Sequence, residues 1–225
     1  MDAPVVPRSA SRVPRVLLAG IALATPLPAQ DPGPILDHAS AAYQAVSTLA
    51  ADFVQIVANP LAGGADTTRG RLYEMRPSRF AMRFTDPKGD RIVADGRWLW
   101  LYTPSSAPGQ VIRSAIPATG NTGPNLLGQF VEHPKEHYRA RYVRADSLTD
   151  GWADVVALVP AATDAPYTEA IVWVDRDDGL LRRVDITEQS GQRRTVILRN
   201  LAVNAAVAPR EFTFSVPSGA RVVDQ

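Results

Sequence analysis

The chain has 225 residues, 45% of them apolar, with 24 Lys and Arg against 23 Asp and Glu and no Cys. That length can build the hydrophobic core of one ordinary domain, and a net charge of +1 gives no general attraction to nucleic acid or acidic membranes. The lack of Cys excludes disulfides, thiolate metal sites, a Cys nucleophile and a lipid-anchored Cys. Since His38, His133 and His137 are the only histidines, the composition favours a binding protein over an enzyme.

The first 29 residues have the layout of a secretory signal peptide. Three arginines within the first 15 residues precede the apolar run Val16–Thr25, and small residues lead to a cleavage site after Ala29. The apolar run is well short of the ~20 residues that a membrane-spanning helix needs. We therefore predict an exported protein with a signal peptide at 1–29 and one domain at 30–225.

One long helix and a long series of strands are predicted for this domain. Apolar residues in Gly33–Ala51 recur at spacings of three and four, which predicts an amphipathic helix. The apolar period then changes to two, and turn signals such as Asp95-Gly96 and Ser190-Gly191 separate the segments. The predicted strands are Phe53–Val57, Arg71–Met75, Arg79–Phe84, Arg91–Ala94, Trp98–Tyr102, Gln110–Ile116, Tyr138–Arg144, Asp154–Val159, Glu169–Val174, Leu180–Glu188, Arg193–Leu201 and Glu211–Val216. This pattern predicts a mainly β fold of the α+β class, an incomplete antiparallel β-barrel of about 11 strands.

A short helix is predicted inside the β series. The turn-rich stretch Ala118–Pro124 leads into Asn125–Val131, which is apolar. This helix either plugs the end of the barrel or forms a lid over a cavity, and the residues alone leave both interpretations open. The side chains that we assign to lid helices are Ile35, Tyr43, Val46, Leu49, Leu126, Leu127 and Phe130.

Large apolar side chains alternate along neighbouring strands. The inner face of a curled sheet must be filled by side chains, a helix or a ligand, and Met and flat aromatic side chains accommodate varied apolar ligands. The side chains predicted to line such a cavity are Phe53, Phe80, Met82, Phe84, Trp98, Trp100 and Tyr102. An ordinary core is the alternative for the same residues. Because Leu99 and Leu101 make the other face of their strand apolar too, we expect both faces of that strand to be covered.

Signatures of catalysis are weak. His133–His137 matches the HxxEH pattern of inverted zinc proteases, but Pro134 and the alternating residues after His137 disfavour the helix that such a site needs. The chain contains no GxSxG motif, phosphate loop or dinucleotide fingerprint. We therefore expect no catalytic residues, no metal and no cofactor.

Several segments, in order, resemble the LolA family of periplasmic lipoprotein carriers. The segment Asp95–Tyr102 matches the DGxxLWxY hairpin of that family. The other matching segments are Phe53-Val54-Gln55, Gly70–Tyr73, Arg76–Phe80, Thr119–Thr122 ahead of Leu126-Leu127, and Phe212–Phe214 followed by Pro217–Gly219. Their order and spacing extend the resemblance over nearly all of residues 35–225.

The resemblance implies an open half-barrel whose helices form a lid over a hydrophobic cavity for lipoprotein acyl chains. It implies that Arg76 holds this lid closed in the empty form. Its implied partners are acylated lipoproteins, an inner-membrane ABC-type lipoprotein-releasing complex and an outer-membrane acceptor lipoprotein. We expect a periplasmic monomer that binds no nucleic acid. The alternatives are a half-barrel of the envelope-stress sensor type, which binds free lipid or lipopeptide signals, and, more remotely, a hydrolase.

Overall fold

The computed structural model of the protein describes residues 30–60, 63–116, 127–149 and 151–225. The predicted signal peptide, the turn-rich stretch Ala118–Pro124 and the predicted lid residue Leu126 lie outside these ranges. Within them, none of the helices is long and apolar enough to cross a membrane.

The described residues form three helices, one 3-10 turn and twelve strands. The helices are α1 (Gly33–Gln44), α2 (Gly128–Val131) and α3 (Pro134–His137), and the 3-10 turn is Pro209–Phe212. The strands are β1 (Thr48–Asn59), β2 (Gly64–Met75), β3 (Arg79–Asp86), β4 (Arg91–Asp95), β5 (Trp98–Tyr102), β6 (Gln110–Ala115), β7 (Tyr138–Leu148), β8 (Gly151–Pro160), β9 (Tyr167–Asp175), β10 (Leu181–Glu188), β11 (Arg193–Val203) and β12 (Arg221–Asp224).

All strands belong to one sheet, in the order β12-β6-β5-β4-β3-β2-β1-β11-β10-β9-β8-β7. Neighbouring strands are antiparallel except β12, which runs parallel to β6. Within the described ranges no pairing joins the two edge strands, β7 and β12, so the sheet stays open. The prediction of a mainly β, incomplete antiparallel barrel is confirmed.

The first helix is shorter than predicted. It ends at Gln44, and a hydrogen bond from the Val46 N–H to the Tyr43 carbonyl closes its last turn at 3.0 Å. Leu49 lies in β1, which pairs with both β2 and β11, and two flanking strands outweigh the helical spacing of the sequence. The assignment of Val46 and Leu49 to a lid helix is therefore wrong, although both are buried in the core.

The strand predicted at Glu211–Val216 is also wrong. Its first residues belong to the 3-10 turn, and the last strand of the chain is β12. The spacing of two between Phe212 and Phe214 resembles that of a strand, but both side chains pack onto one face of the sheet from outside it. Pro209 suits the start of the turn because it has no N–H to donate to a neighbouring strand.

The sheet is apolar on both faces. We call the face beneath α1 and α2 the inner face, and those two helices the inner cover. The main core lies there and combines helical and strand side chains, among them Leu36, Phe53, Leu72, Met82, Phe130 and Leu158. On the outer face a second cluster joins Ala81 and Val93 to the segment 207–214, which we call the outer cover.

Candidate functional site

The inner cover closes tightly over the sheet. A cavity of about 10 Å³ lies between them, which is at the lower limit for a single water molecule. Its walls come from α1, α2, the turn before β10 and the ends of β1 and β11, namely Ala39, Tyr43, Leu49, Leu127, Val131, Gly179, Leu180, Leu181 and Leu201. An apolar ligand larger than a water molecule therefore fits this cavity only if part of the inner cover moves.

Four of the residues predicted to line a cavity face the inner cover. Phe53, Phe80 and Met82 are buried in the main core. Phe84 is partly buried against it and meets Phe53 edge to face, with ring centres 5.1 Å apart. These side chains form a continuous apolar surface across β1 and β3.

The other three predicted cavity residues, which lie on β5, occupy the outer face, so that part of the prediction is wrong. Trp100 stacks on Phe214 of the outer cover at 5.3 Å, and Tyr102 lies 6.0 Å from the same ring. Trp98 shares their face by the period of two and lies under the Arg113 guanidinium at 4.4 Å. Leu99, which pairs with Ala94, packs instead against the inner core.

Helix α2 is attached to the β7–β9 side of the sheet by two tyrosines. Phe130 is fully buried, and its ring lies near those of both Tyr138 and Tyr167. The Tyr138 hydroxyl donates to the Gln129 carbonyl at 2.9 Å and lies 2.7 Å from the Tyr167 hydroxyl. Burial and the contact with Tyr167 raise the pKa of Tyr138, so it stays a neutral donor. Of the remaining predicted lid residues, Leu127 immediately precedes α2, and Ile35 and Tyr43 lie on α1.

Arg76 connects the turn between β2 and β3 with both helices of the inner cover. Its Nη1 donates to the Tyr43 carbonyl in the last turn of α1 at 3.0 Å. Its Nη2 donates to Glu132 Oε1 at 2.8 Å, just after α2. The Tyr43 carbonyl also accepts the Val46 N–H and has a second lone pair for Arg76. The planar fork of arginine can serve two separate acceptors at once. Sequence analysis singled out Arg76 but missed Glu132.

A buried carboxyl group, Glu74, lies beside this contact. Glu74 is 4% exposed, accepts a hydrogen bond from the Tyr43 hydroxyl, and has no described partner for its Oε2. Burial raises the pKa of Glu74 to about 7, a rise to which Glu132 adds, although the Tyr43 hydrogen bond and the positive charge of Arg76 oppose it. The alternating pattern of β2 does not distinguish Glu74 from a solvent-facing residue.

The HxxEH segment has no geometry for a metal. His133 has left-handed backbone dihedrals, with φ of 49°, and precedes the short helix α3. The side chains of His133 and Glu136 are 65% and 73% exposed. Across the described residues, no three His, Asp or Glu side chains lie close enough to hold a metal ion.

Comparison with known proteins agrees with this architecture. The sequence profile of the family described as "Outer membrane lipoprotein carrier protein LolA" matches residues 44–215, well over half of the chain. The chain belongs to the LolA family. This is a family of binding and transport proteins rather than of enzymes.

Individual relatives of this chain also include outer-membrane lipoprotein carrier proteins. The outer-membrane lipoprotein carrier protein of Salmonella typhi is 30% identical over 182 residues, covering 80% of this chain and 83% of that protein. That of Haemophilus influenzae is 29% identical over 182 residues, covering 80% and 82%. Among solved structures, an uncharacterized conserved protein from Thermus thermophilus superposes with a TM-score of 0.55 at 13% identity, covering 87% of this chain and all of that one. This last likeness shows the fold alone.

Proposed function

We propose that this protein carries lipoproteins from the inner to the outer membrane and shields their acyl chains between the inner face of the sheet and the inner cover. The main support is the apolar inner face, which α1 and α2 close in a protein of the LolA family. The proposed acyl-chain site consists of Phe53, Phe80, Met82 and Phe84 from the sequence prediction, together with Leu99.

Release of such a cargo requires that an unfavourable free-energy change offset part of the free energy gained by burying the acyl chains. Burial contributes about 0.8 kcal/mol per methylene, so one chain of ~16 carbons brings roughly 12 kcal/mol. Three chains would exceed the practical ceiling of ~20 kcal/mol for non-covalent binding. Contacts of the closed form that break on loading reduce the net affinity, which makes release feasible.

The bonds of Arg76 to Tyr43 and Glu132 are the best candidates for these contacts. They join the sheet to both helices of the inner cover, so any opening that separates the helices from the sheet breaks them. In this proposal Arg76 is the latch of the empty form, and α1 and α2 act as the lid rather than as a fixed plug.

The location and partners complete the proposal. Residues 1–29 are a signal peptide that directs the domain at 30–225 to the periplasm. The protein works there as a monomer without catalysis. It receives lipoproteins from an inner-membrane ABC-type releasing complex and delivers them to an outer-membrane acceptor lipoprotein.

Mass spectrometry of the material that co-purifies with the protein from the periplasm tests this function. We expect intact acylated lipoproteins in molar amounts comparable with the protein. Recovery of diacyl phospholipid alone would contradict the carrier function and favour the sensor-type alternative. An Arg76→Leu sample serves as the matched comparison, since the proposal predicts that its cargo content changes while its fold is kept.

A further inference from the structure

A buried carboxyl group lies among the apolar side chains of the inner face. Glu74 is 4% exposed and shares its face of β2 with Leu72 of the main core. Its neighbours on the adjoining strands, Leu49 of β1 and Phe80 of β3, are both apolar. Glu74 therefore lies beside the proposed acyl-chain site, and the proposed carrier function gives it no role.

Tyr43 of α1 connects Glu74 with the proposed latch. Its hydroxyl donates to Glu74 Oε1, and its carbonyl accepts from Arg76 Nη1 at 3.0 Å. Its ring lies beneath the Arg76 guanidinium, with 4.9 Å between the Arg76 Cζ and the ring centre. A movement of the last turn of α1 away from the sheet therefore breaks the Arg76 contact and uncovers Glu74 in the same step.

The titratable and charged groups around Glu74 come from α1, from the turn after β2 and from the residue after α2. They are Tyr43, Arg76 and Glu132. Arg76 forms its ion pair with Glu132, at 2.8 Å, and Glu74 Oε2 has no described hydrogen-bond partner. A buried carboxylate needs donors for its oxygens, so this environment favours the neutral carboxyl.

The closed and open forms of the inner cover consequently hold different numbers of protons. Burial raises the pKa of Glu74 from 4.5 to about 7 in the closed form, although Tyr43 and Arg76 oppose the rise. Glu74 is the last residue but one of β2, at the rim of the sheet, so water reaches it once α1 has moved and its pKa returns towards the ordinary value. Between these two values the closed form keeps a proton that the open form releases, and a rising pH favours opening.

We propose that Glu74 couples the opening of the inner cover to the release of a proton, so that the lid opens more readily at neutral than at acidic pH. The inference rests on the proposed carrier function and adds a regulation to its lid. In acid, the neutral Glu74 and the Arg76 bonds stabilise the closed form together. At neutral pH the charge of the buried carboxylate opposes closure, so cargo is loaded more readily.

Histidine titrates in the same pH range, so the histidines of the covering segments must be distinguished from Glu74. His38 lies on α1 against Gly179 of the turn after β9, and His133 Nδ1 lies 3.6 Å from Glu136 Oε1. Neither is a described partner of Glu74. Substitution of Glu74 alone therefore separates its effect from theirs.

The chain contains no Cys, so lid opening can be measured as the labelling rate of one introduced thiol. Ala39→Cys places a thiol on the buried side of α1, and Ala41→Cys places one on the exposed side of the same helix as the matched control. Because the thiolate is the reactive form in both variants, the ratio of their rates removes the pH dependence of labelling itself. We expect this ratio to rise by about tenfold or more between pH 5 and pH 7 and then to level off.

Glu74→Gln is the decisive variant, because a neutral amide cannot titrate. In this background the labelling ratio should stay near the wild-type value at pH 5 over the whole range. The same rise with and without Glu74, or no rise in wild type, would overturn the proposal. Since no cargo is present in this experiment, either result leaves the carrier function standing.

Two further variants test the origin of the signal. Val93→Cys, at a fully buried position of the outer face, should be labelled at least tenfold more slowly than Ala39→Cys. Equal rates would overturn the proposal, since unfolding rather than lid opening would then expose both thiols. Tyr43→Phe keeps the ring and the carbonyl that Arg76 contacts but removes the hydroxyl, which lowers the pKa of Glu74. In this variant the ratio should level off at a higher pH than in wild type, and faster labelling without such a shift would overturn the coupling.

Discussion

The inner and outer covers shield apolar side chains on opposite faces of the same sheet but are attached in different ways. The outer cover is part of a chain that is fixed in the sheet at both ends, by β11 before it and β12 after it. Its aromatic side chains lie directly on the strands, as in the Trp100–Phe214 stack. Helix α1 is continuous with the described sheet only through β1, and polar contacts through Arg76 hold its last turn.

In our proposal, this difference lets the half-barrel combine a permanent core with a removable one. Removing the outer cover requires β12 to separate from β6. Removing the inner cover requires the hydrogen bonds of Arg76 and Tyr138 to break and the buried side chains of α1 and α2 to leave the main core. Both β5 faces are apolar, as the sequence indicates, and we propose that only the inner one is covered by elements that move away without unfolding the sheet.

The largest expected effect belongs to the outer cover. Phe212 is 2% exposed within the outer cluster, and Phe212→Ala is expected to lower the free energy of unfolding by about 3–5 kcal/mol. Urea unfolding measures this loss. The folded fraction of this variant should bind acyl chains with unchanged affinity. Faster exchange of bound acyl chains with free ones would show that the outer cover also opens.

The second effect concerns Glu74 and pH. Because its pKa is raised from 4.5 to about 7 in the folded protein, the folded state keeps a proton that the unfolded state loses. The contribution of Glu74 to the stability is therefore largest below pH ~4.5 and falls by roughly 3 kcal/mol as the pH rises to about 7, then levels off. This loss concerns the protein's free energy of unfolding, and urea titrations at a series of pH values measure it.

Two variants separate the contribution of Glu74 from other groups. Glu74→Gln should abolish most of the decline between pH 4.5 and 7, since a neutral amide cannot titrate. Glu136→Gln, at a side chain that is 73% exposed, should leave the decline unchanged. An identical decline in wild type and Glu74→Gln would show that the Glu74 environment is not as described.

A smaller loss of stability, with a larger functional effect, is expected at the latch. Arg76→Leu removes two hydrogen bonds of a side chain that is 31% exposed, so the expected loss is about 1–2 kcal/mol. Hydrogen exchange in the last turn of α1 should become faster, and cargo transfer in a reconstituted assay should be impaired. Arg76→Lys keeps the positive charge but not the planar guanidinium, so its cargo transfer should lie between that of wild type and that of Arg76→Leu. Normal cargo transfer by Arg76→Leu would contradict the role of Arg76 as a latch.

The smallest effect is expected at the exposed pair of Lys135 with Asp37. Their atoms approach to 2.7 Å, but both side chains are more than 60% exposed, and such pairs contribute at most ~0.5 kcal/mol. Lys135→Ala should therefore leave both stability and lid opening unchanged within error. A loss as large as that of Arg76→Leu would mean that α3, rather than Arg76, holds the inner cover.

The local elements of this fold were largely predictable, and the contacts between distant segments were not. Strand β5 has the predicted bounds because alternation and the Asp95-Gly96 turn are local signals. The partnership of Arg76 with Glu132 joins residues 56 positions apart, and no local pattern encodes it. The same holds for the burial of Glu74, which depends on α1 lying above β2.

The sequence contains a feature that indicates which face of β5 points inward, namely the length of the hairpin loop before it. A two-residue hairpin loop pairs even-numbered with odd-numbered residues, so Leu99 had to share a face with Ala94, and Trp100 with Val93. The size of the aromatic side chains favoured the wrong assignment, in which Trp98, Trp100 and Tyr102 face the cavity. The end of α1 had no comparable signal, because Val46 and Leu49 are buried in the same core that the helix contacts.

In the proposed function, acyl chains occupy the inner face of the sheet and not the outer one. A triacylated lipopeptide with a photoreactive group at the end of one acyl chain tests it directly, with the labelled residues located by mass spectrometry. Label is expected on inner residues such as Phe80, Met82 and Leu99. Label concentrated on Trp100 and Phe214 would contradict it.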